Sequence, residues 1–333
     1  MKTLALLLGC LVFYSMAGAA TVIDLGMLPG DTQAVATAIN DADQVTGTTS
    51  SADFLWENGR MTNITAPFNA YCSSGINNSG QIAGGAADQN GIFCPAIQDV
   101  HATRRTAVTV LGSFGGVIDG SFNGSAAAIN NTGQACGFSY INSVHAHAFL
   151  YDGGVMRDIG LFIHDYSAAA ALNDNGDVVG VSGANGFLYT NGTLQYLIPF
   201  GSTQSQACAI NNKGQIAGYY LDVHATATHS YLYENGTFTD ISAADSHETD
   251  AMAINDAGQV VGQSWPPPDR SCRRCIPEPR AFVYENGALT ELNTLLPAGS
   301  PWRLAYAYAI NSKGHIAGGG YVNGQLHAFM LIR

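Results

Sequence analysis

Three acidic–histidine groupings mark where acid–base or metal chemistry could arise in this sequence: His164-Asp165, Asp222-x-His224, and Asp245-Ser246-His247-Glu248-Thr249-Asp250. Imidazoles and carboxylates brought together bind zinc, manganese or calcium, or pass protons as acid and base. Tyr166, Trp265 and Trp302, with Arg303 beside the last, add flat faces on which a sugar or another planar ligand can stack. Each grouping also reads as ordinary structure. Polar loops on an acidic protein are usually solvated, and a loop aromatic commonly packs beneath its own loop. These residues are therefore candidates for holding a ligand. No catalytic residue, metal ligand set or cofactor is assigned, although a divalent metal at the His/Asp groupings would be chemically reasonable.

The motifs of the common enzyme classes are missing. There is no Gly-x-Ser-x-Gly, no P-loop and no dinucleotide fingerprint, and His247-Glu248 lacks the second histidine of a zinc protease helix. Asn173-Asp174-Asn175-Gly176-Asp177 resembles the start of a calcium loop but lacks the later glutamate, and hairpin chemistry accounts for it.

The scaffold for these residues is a repeat. The pattern Ile-Asn-x-x-Gly-x-x-x-Gly begins at Ile39, Ile76, Ile129, Ile210, Ile254 and Ile310, with Leu172 heading a seventh copy and Asp43 replacing the first glycine of the first copy. Asparagine ends a strand, two polar residues turn the chain, and glycine takes the left-handed conformation. Alternating alanines precede it, as at Ala126 and Ala128 or Ala251 and Ala253, which is the period of a strand. Small side chains suit strands crowded at an axis.

A second hairpin follows in each copy. Its first strand is aromatic, as in Phe54-Leu55-Trp56 and Phe149-Leu150-Tyr151, and Asn58-Gly59, Asn191-Gly192, Asn235-Gly236 and Asn286-Gly287 are type I′ turn signals. Four strands in a repeat of about 40–45 residues match a propeller blade. The last copy stops after its third strand, at His327 to Ile332, while an orphan strand, Val22-Ile23-Asp24-Leu25-Gly26, precedes the first. Pairing these two closes a ring and removes an exposed edge. The expected fold is all-β: a seven-bladed β-propeller over residues 21–333, closed by the N-terminal strand joining the last blade. The second copy is irregular, because Ile92-Phe93-Cys94-Pro95 lacks the aromatic pattern.

In such a meander both short turns emerge at one end of the ring. The second-to-third and blade-to-blade connections emerge at the other, and they vary widely: 112–125, 219–228, 263–280 and 293–303. Variable loops on a rigid scaffold are where binding concentrates. His145, His164, His224 and His247 fall in such loops, and the three acidic–histidine groupings come from consecutive copies, so they could converge. Histidines that open third strands recur as repeat features and are better explained by packing and hydrogen bonding.

Composition narrows the partners. The chain has 333 residues, only 11% of them charged, and a net charge of −12. Its lysines are Lys2, Lys213 and Lys313, so no basic patch exists to neutralise phosphates, and nucleic acid is a poor partner. Residues 1–20 combine Lys2, an apolar run from Leu4 to Met16 and the small residues Ala17-Gly18-Ala19-Ala20, as a secretory signal peptide does. Export to the periplasm or the extracellular space is expected, with no membrane insertion after cleavage and a monomeric product. In that oxidising setting Cys272 and Cys275 are candidates for a local loop staple, Cys72 and Cys94 for a second bridge, and Cys136 and Cys208 for buried thiols.

The Ile-Asn-x-x-Gly-Gln hairpins, together with His147-Ala148-Phe149, His327-Ala328-Phe329 and the variant His229-Ser230-Tyr231, resemble the HAF-repeat family of bacterial extracellular proteins. The resemblance covers nearly all of residues 21–333 and implies secretion and a repeat β architecture. It carries no activity and no catalytic residues. The expected function is a non-enzymatic binding module that uses the long-loop end for a glycan, peptide or protein. The alternative is a hydrolase or lyase, metal-assisted or not, with His164, His224 and His247 gathered at the channel mouth.

Overall fold

A computed structural model describes residues 20–65, 75–101, 108–160, 166–222, 227–246, 248–267 and 277–333. Their strands form seven antiparallel sheets, and the Asn turns of all seven line one channel mouth. The chain is an all-β, seven-bladed β-propeller. Two one-turn 3-10 segments, Pro199–Gly201 and Leu292–Leu295, are the other regular elements among the described residues. No helix there is long and apolar enough to cross a membrane.

Blade 1 runs outward from the axis as Ala34–Ile39, Val45–Thr49, Asp53–Glu57 and Arg60–Asn63. Blades 3 to 6 repeat this order, beginning at Gly124, Ser167, Gln204 and Glu248. Blade 7 takes Trp302–Ile310, Ile316–Val322 and Gln325–Ile332 from the C-terminal end and Thr21–Gly26 as its outer strand. Val22 lies opposite Leu331 and Ile23 opposite Met330, so the two ends of the ring share one sheet.

The repeated asparagine does more than end a strand. Its Oδ1 accepts from the backbone N–H groups two and four residues on, as Asn211 does from Lys213 and Gln215. Its Nδ2 donates to the carbonyl of the equivalent asparagine in the next blade. This link runs from Asn40 to Asn77 at 2.9 Å, then through Asn130, Asn173, Asn211, Asn255 and Asn311, and returns to Asn40 at 3.0 Å. The result is a closed belt of buried, satisfied amides at the short-turn end.

The second glycine of the motif has a steric cause. The inner strands bulge, with register shifts such as those at Ala36/Ala38 and Ala207/Ala209, and push a carbonyl toward the neighbouring strand. A methyl group on Gly47, Gly137, Gly180, Gly218, Gly262 or Gly318 would overlap that oxygen. The third-strand aromatics Phe54, Phe149, Phe187, Tyr231, Phe282 and Phe329 are fully buried at the equivalent position of their blades. Burying each such ring is worth about 1.5–3 kcal/mol. Blade 2 has Ala96 there, opposite Gly84, and Phe93 instead fills the space over Gly85. Among the described residues its third strand is Phe93–Asp99, its fourth is Val108–Val110, and its inner strand shows a bridge between Ile76 and Ile82.

The third-strand histidines clip the outer two strands of their own blades. His147 Nδ1 lies 2.8 Å from Asp158, His229 Nδ1 lies 3.5 Å from Asp240, and His327 Nδ1 lies 3.0 Å from Asp24. Blade 6 replaces the pair with Arg280 and Glu291 at 2.6 Å. Cys94, Cys136 and Cys208 carry free thiols. Cys72, Cys272 and Cys275, the remaining cysteines of the expected bridges, lie outside the described residues, as do residues 1–19.

Candidate functional site

The inner strand of blade 5, Gln204–Ile210, and its neighbour Ile216–Leu221 set Gln206 opposite Tyr219 near the long-loop end. The tyrosine hydroxyl donates to Gln206 Oε1 at 2.8 Å. Together with Gln204, Ser205, Leu221 and Thr228, and with Val181, Gly183 and Ala184 of blade 4, they enclose a cleft of about 470 Å³. The volume lies within the usual range for small-molecule sites, about 300–1,000 Å³. Gly183-Ala184 is the entire second-to-third connection of blade 4, so the cleft opens where that loop is shortest.

Asp250, on the inner strand of blade 6, stands behind the cleft wall. Thr228 Oγ1 donates to Asp250 Oδ1 at 2.9 Å. Burial pushes the Asp250 carboxyl up, and Glu248 adds to this, against the opposing hydrogen bonds of Thr228 and Gln263. Gln263 pairs with Asp250 as Tyr219 pairs with Gln206. It is 6% exposed, and its Oε1 meets no donor among the described residues. On blade 7 the Tyr306 and Tyr308 rings stack 5.8 Å apart, 8° from parallel. Burial, then Tyr306 and Asp250, push the Tyr308 phenol up to about 12. Blades 5 to 7 thus hold amides, phenols and a carboxyl at inner positions where blades 1, 3 and 4 carry Val35 opposite Thr48, Ser125 opposite Phe138 and Ala168 opposite Val181.

None of the three described thiols is poised as a nucleophile. Burial and Asp250 push the Cys208 thiol up to about 12, burial and Asp88 push Cys94 up to about 11, and burial drives Cys136 higher still. A thiol acts through its thiolate, so all three are inert at neutral pH. No group of three or more His, Cys, Asp or Glu able to hold a metal occurs among the described residues.

A second cleft, of about 390 Å³, lies between blades 6 and 7 at the same end and is lined by Pro266, Glu278, Pro279, Arg280, Glu291, Asn293 and Arg303. Its arginines are engaged: Arg280 by Glu291, and Arg303 by Glu278 at 3.3 Å and by the Tyr321 ring at 4.3 Å. At the opposite end, the turns form a shallow mouth of about 260 Å³ ringed by Asp41, Asn78, Asn131, Asp174, Asn212, Asp256 and Ser312, which are largely hydrogen-bonded to one another.

No protein-family model matches the chain, and no curated protein matches it in sequence. Solved structures do share its fold. The β-propeller domain of the Trilobed protease from Pyrococcus furiosus, described as an open velcro topology, superposes with a TM-score of 0.59 at 10% identity, over 90% of this chain and 93% of that one. An acylaminoacyl peptidase from Pyrococcus horikoshii gives 0.55 at 12% identity, over 89% of this chain and 51% of that one, so this chain spans about half the peptidase. Virginiamycin B lyase from Staphylococcus aureus, solved with quinupristin, gives 0.50 at 11% identity, over 94% and 100%. Similarity at this level is of fold, and a fold hosts many functions.

The residues singled out from sequence are spread over several blades. Tyr166 is 45% exposed and does not line the 470 Å³ cleft; its carbonyl accepts from Gly183 N at 2.8 Å, and its ring lies 6.5 Å from that of Phe138 in blade 3. Glu248 lies opposite Trp265 on blade 6. Trp302 packs edge-on against His327 and Phe329 within blade 7, and Arg303 lines the second cleft. His164, Asp165, His224 and His247 lie outside the described residues. Gln206, Tyr219, Asp250 and Gln263 were not singled out as candidates. Their signal was a polar residue at an inner position that is small or apolar in the other copies.

Proposed function

We propose that the protein is an exported, monomeric, non-enzymatic binding module of the HAF-repeat type, acting in the periplasm or outside the cell. Its ligand sits at the long-loop end of the propeller. The observation that carries this reading is the cleft between blades 4 and 5: an open concavity walled by Gln204, Ser205, Gln206, Tyr219 and Thr228, groups that hold a ligand through hydrogen bonds and lack an activated nucleophile. The signal-like residues 1–20 and the repeat resemblance support export. The scarcity of lysine argues against nucleic acid.

The test is fluorescence titration of purified protein against soluble glycans and peptides. Gln206→Ala and Tyr219→Ala should weaken whatever binding is found, whereas Lys213→Ala, in the short turns, should leave it unchanged. Binding that depends on Lys213 and ignores Gln206 would place the working end on the wrong side.

A further inference from the structure

We propose that Asp250 and Gln263 form a seat for a primary ammonium group carried by the ligand and reached from the long-loop end. This rests on the long-loop end being the binding face, and it names the charge that the ligand brings there.

The seat is built from two acceptors held side by side. Asp250, on the inner strand Glu248–Ile254, lies directly opposite Gln263 on Val260–Trp265, so both side chains leave the same face of the blade 6 sheet. Thr228 Oγ1 donates to Asp250 Oδ1 at 2.9 Å, and the Gln263 amide bonds to the same carboxyl. With its Nε2 given to Asp250, Gln263 keeps Oε1 beside the carboxylate. That oxygen meets no donor among the described residues, although Gln263 is only 6% exposed. A buried acceptor without a donor costs stability until one arrives, so the pair calls for a group that brings hydrogen.

The charges call for a cation. Asp250 remains partly exposed, and its field reaches Tyr219 and Cys208 of blade 5 and Tyr308 of blade 7, so it fronts a space shared by three blades. Burial disfavours its ionised form, and Glu248, two residues earlier on the same face, adds to this. A positive charge set beside Asp250 offsets both effects. The stacked Tyr306 and Tyr308 rings add aromatic faces of the kind that attract cations, and the net charge of −12 favours their approach. Thr228 also lines the 470 Å³ cleft, so the seat adjoins the proposed site.

Among cations a primary ammonium fits best. It is compact and has three N–H donors to divide between Asp250 and Gln263 Oε1. A quaternary ammonium has none and leaves Oε1 unpaired. The planar guanidinium fork suits a carboxylate with both oxygens free, whereas Asp250 Oδ1 already receives Thr228.

The experiment is isothermal titration of the full chain at pH 7 with a glucosamine trimer, its N-acetylated counterpart, a capped lysine tripeptide, its Nε-acetylated counterpart, and choline. At least one of the two amines should bind, and the tighter one identifies whether an amino sugar or a lysine side chain is the source. The acetylated forms and choline should bind at least tenfold more weakly. Asp250→Asn, which keeps an acceptor for Thr228, should weaken the amine about tenfold or more, as loss of a charged hydrogen bond implies. Gln263→Met should weaken it about fivefold. Glu234→Gln, at an exposed carboxylate of the short-turn end, should leave it unchanged. Thermal melts of each variant separate these effects from misfolding. Amine binding that ignores Asp250→Asn, or that acetylation or choline matches, would overturn the inference. So would failure of both amines while another glycan or peptide binds through Gln206 and Tyr219, which would leave Gln263 Oε1 to a water and the binding face intact. No binding by any probe or ligand would overturn both.

Discussion

Asn311 donates its side-chain amide to the backbone carbonyl of Asn40, 3.0 Å away across 271 positions of sequence. That bond completes the belt that begins with Asn40 and Asn77, so the first and last blades are joined at the axis as well as through the outer strand. The same Asn311 amide reaches Asp43 Oδ1 at 2.9 Å, and its Oδ1 accepts from Lys313 and His315.

Asn311→Ala should therefore cost about 2–4 kcal/mol, because the turn amides of Lys313 and His315 lose their acceptor and the Asn40 carbonyl keeps only Asp43 N–H as a donor. Urea denaturation followed by far-ultraviolet circular dichroism measures this. A loss under about 0.5 kcal/mol, the size expected of an unremarkable surface change, would show that the belt adds little to closure.

Two glycine substitutions separate conformational from steric demands. Gly192→Ala, at φ +78° with open space around it, should cost about 1 kcal/mol for the left-handed backbone alone. Gly218→Ala would drive a methyl into the Gln206 carbonyl and the Tyr231 ring, and should cost about 3 kcal/mol or prevent folding. Thermal melts that rank the two in reverse order would contradict the close approach of the inner strands.

The C-terminal residue sets up a pH dependence. Arg333 grips Glu285 with two bonds, at 3.0 and 3.2 Å, and Gln259 adds a third at 2.6 Å. The Arg333 guanidinium, assisted by Gln259 and opposed by partial burial, holds the Glu285 carboxyl below its ordinary value of 4.5. A lowered folded-state pKa stabilises fully above the unfolded value and is lost as pH falls through the folded one. Wild type should exceed Glu285→Gln by about 0.3–1 kcal/mol at pH 7, a range reduced for solvent screening. The gap should shrink below about pH 4.5. Chemical denaturation at pH 7 and pH 3 checks the sign, and a gap that widens in acid would refute it.

Cys208 should resist alkylation. With its thiol raised to about 12, iodoacetamide at pH 8 should label it in the denatured chain and leave it untouched in the native one. Mass spectrometry of the peptide containing Cys208 decides, and rapid native labelling would mean an activated thiol beside Asp250.

The architecture was legible because its rules are local. Asn-x-x-Gly and Asn-Gly turns declare hairpins wherever they occur, and the unpaired Val22 to Gly26 strand needed the unfinished last repeat. Blade 2 was less legible, since the exchange of a third-strand aromatic for Ala96, with Phe93 moved over Gly85, is a packing solution that no local pattern announces. The cleft was harder still. Variable long loops stand out in a sequence, whereas the space opens over the two-residue connection Gly183-Ala184, and a short loop leaves no mark of what it uncovers. Gln206, Tyr219 and Asp250 sit inside strands, where their polarity signals function only once the channel-facing register is known.

Hydrogen–deuterium exchange of the chain with and without the glycan or peptide that binds it in titration tests the functional account most directly. Protection should appear at 181–184, 204–206 and 219–221 and leave the seven Asn turns unchanged. Protection confined to those turns, or to the cleft between blades 6 and 7, would contradict it.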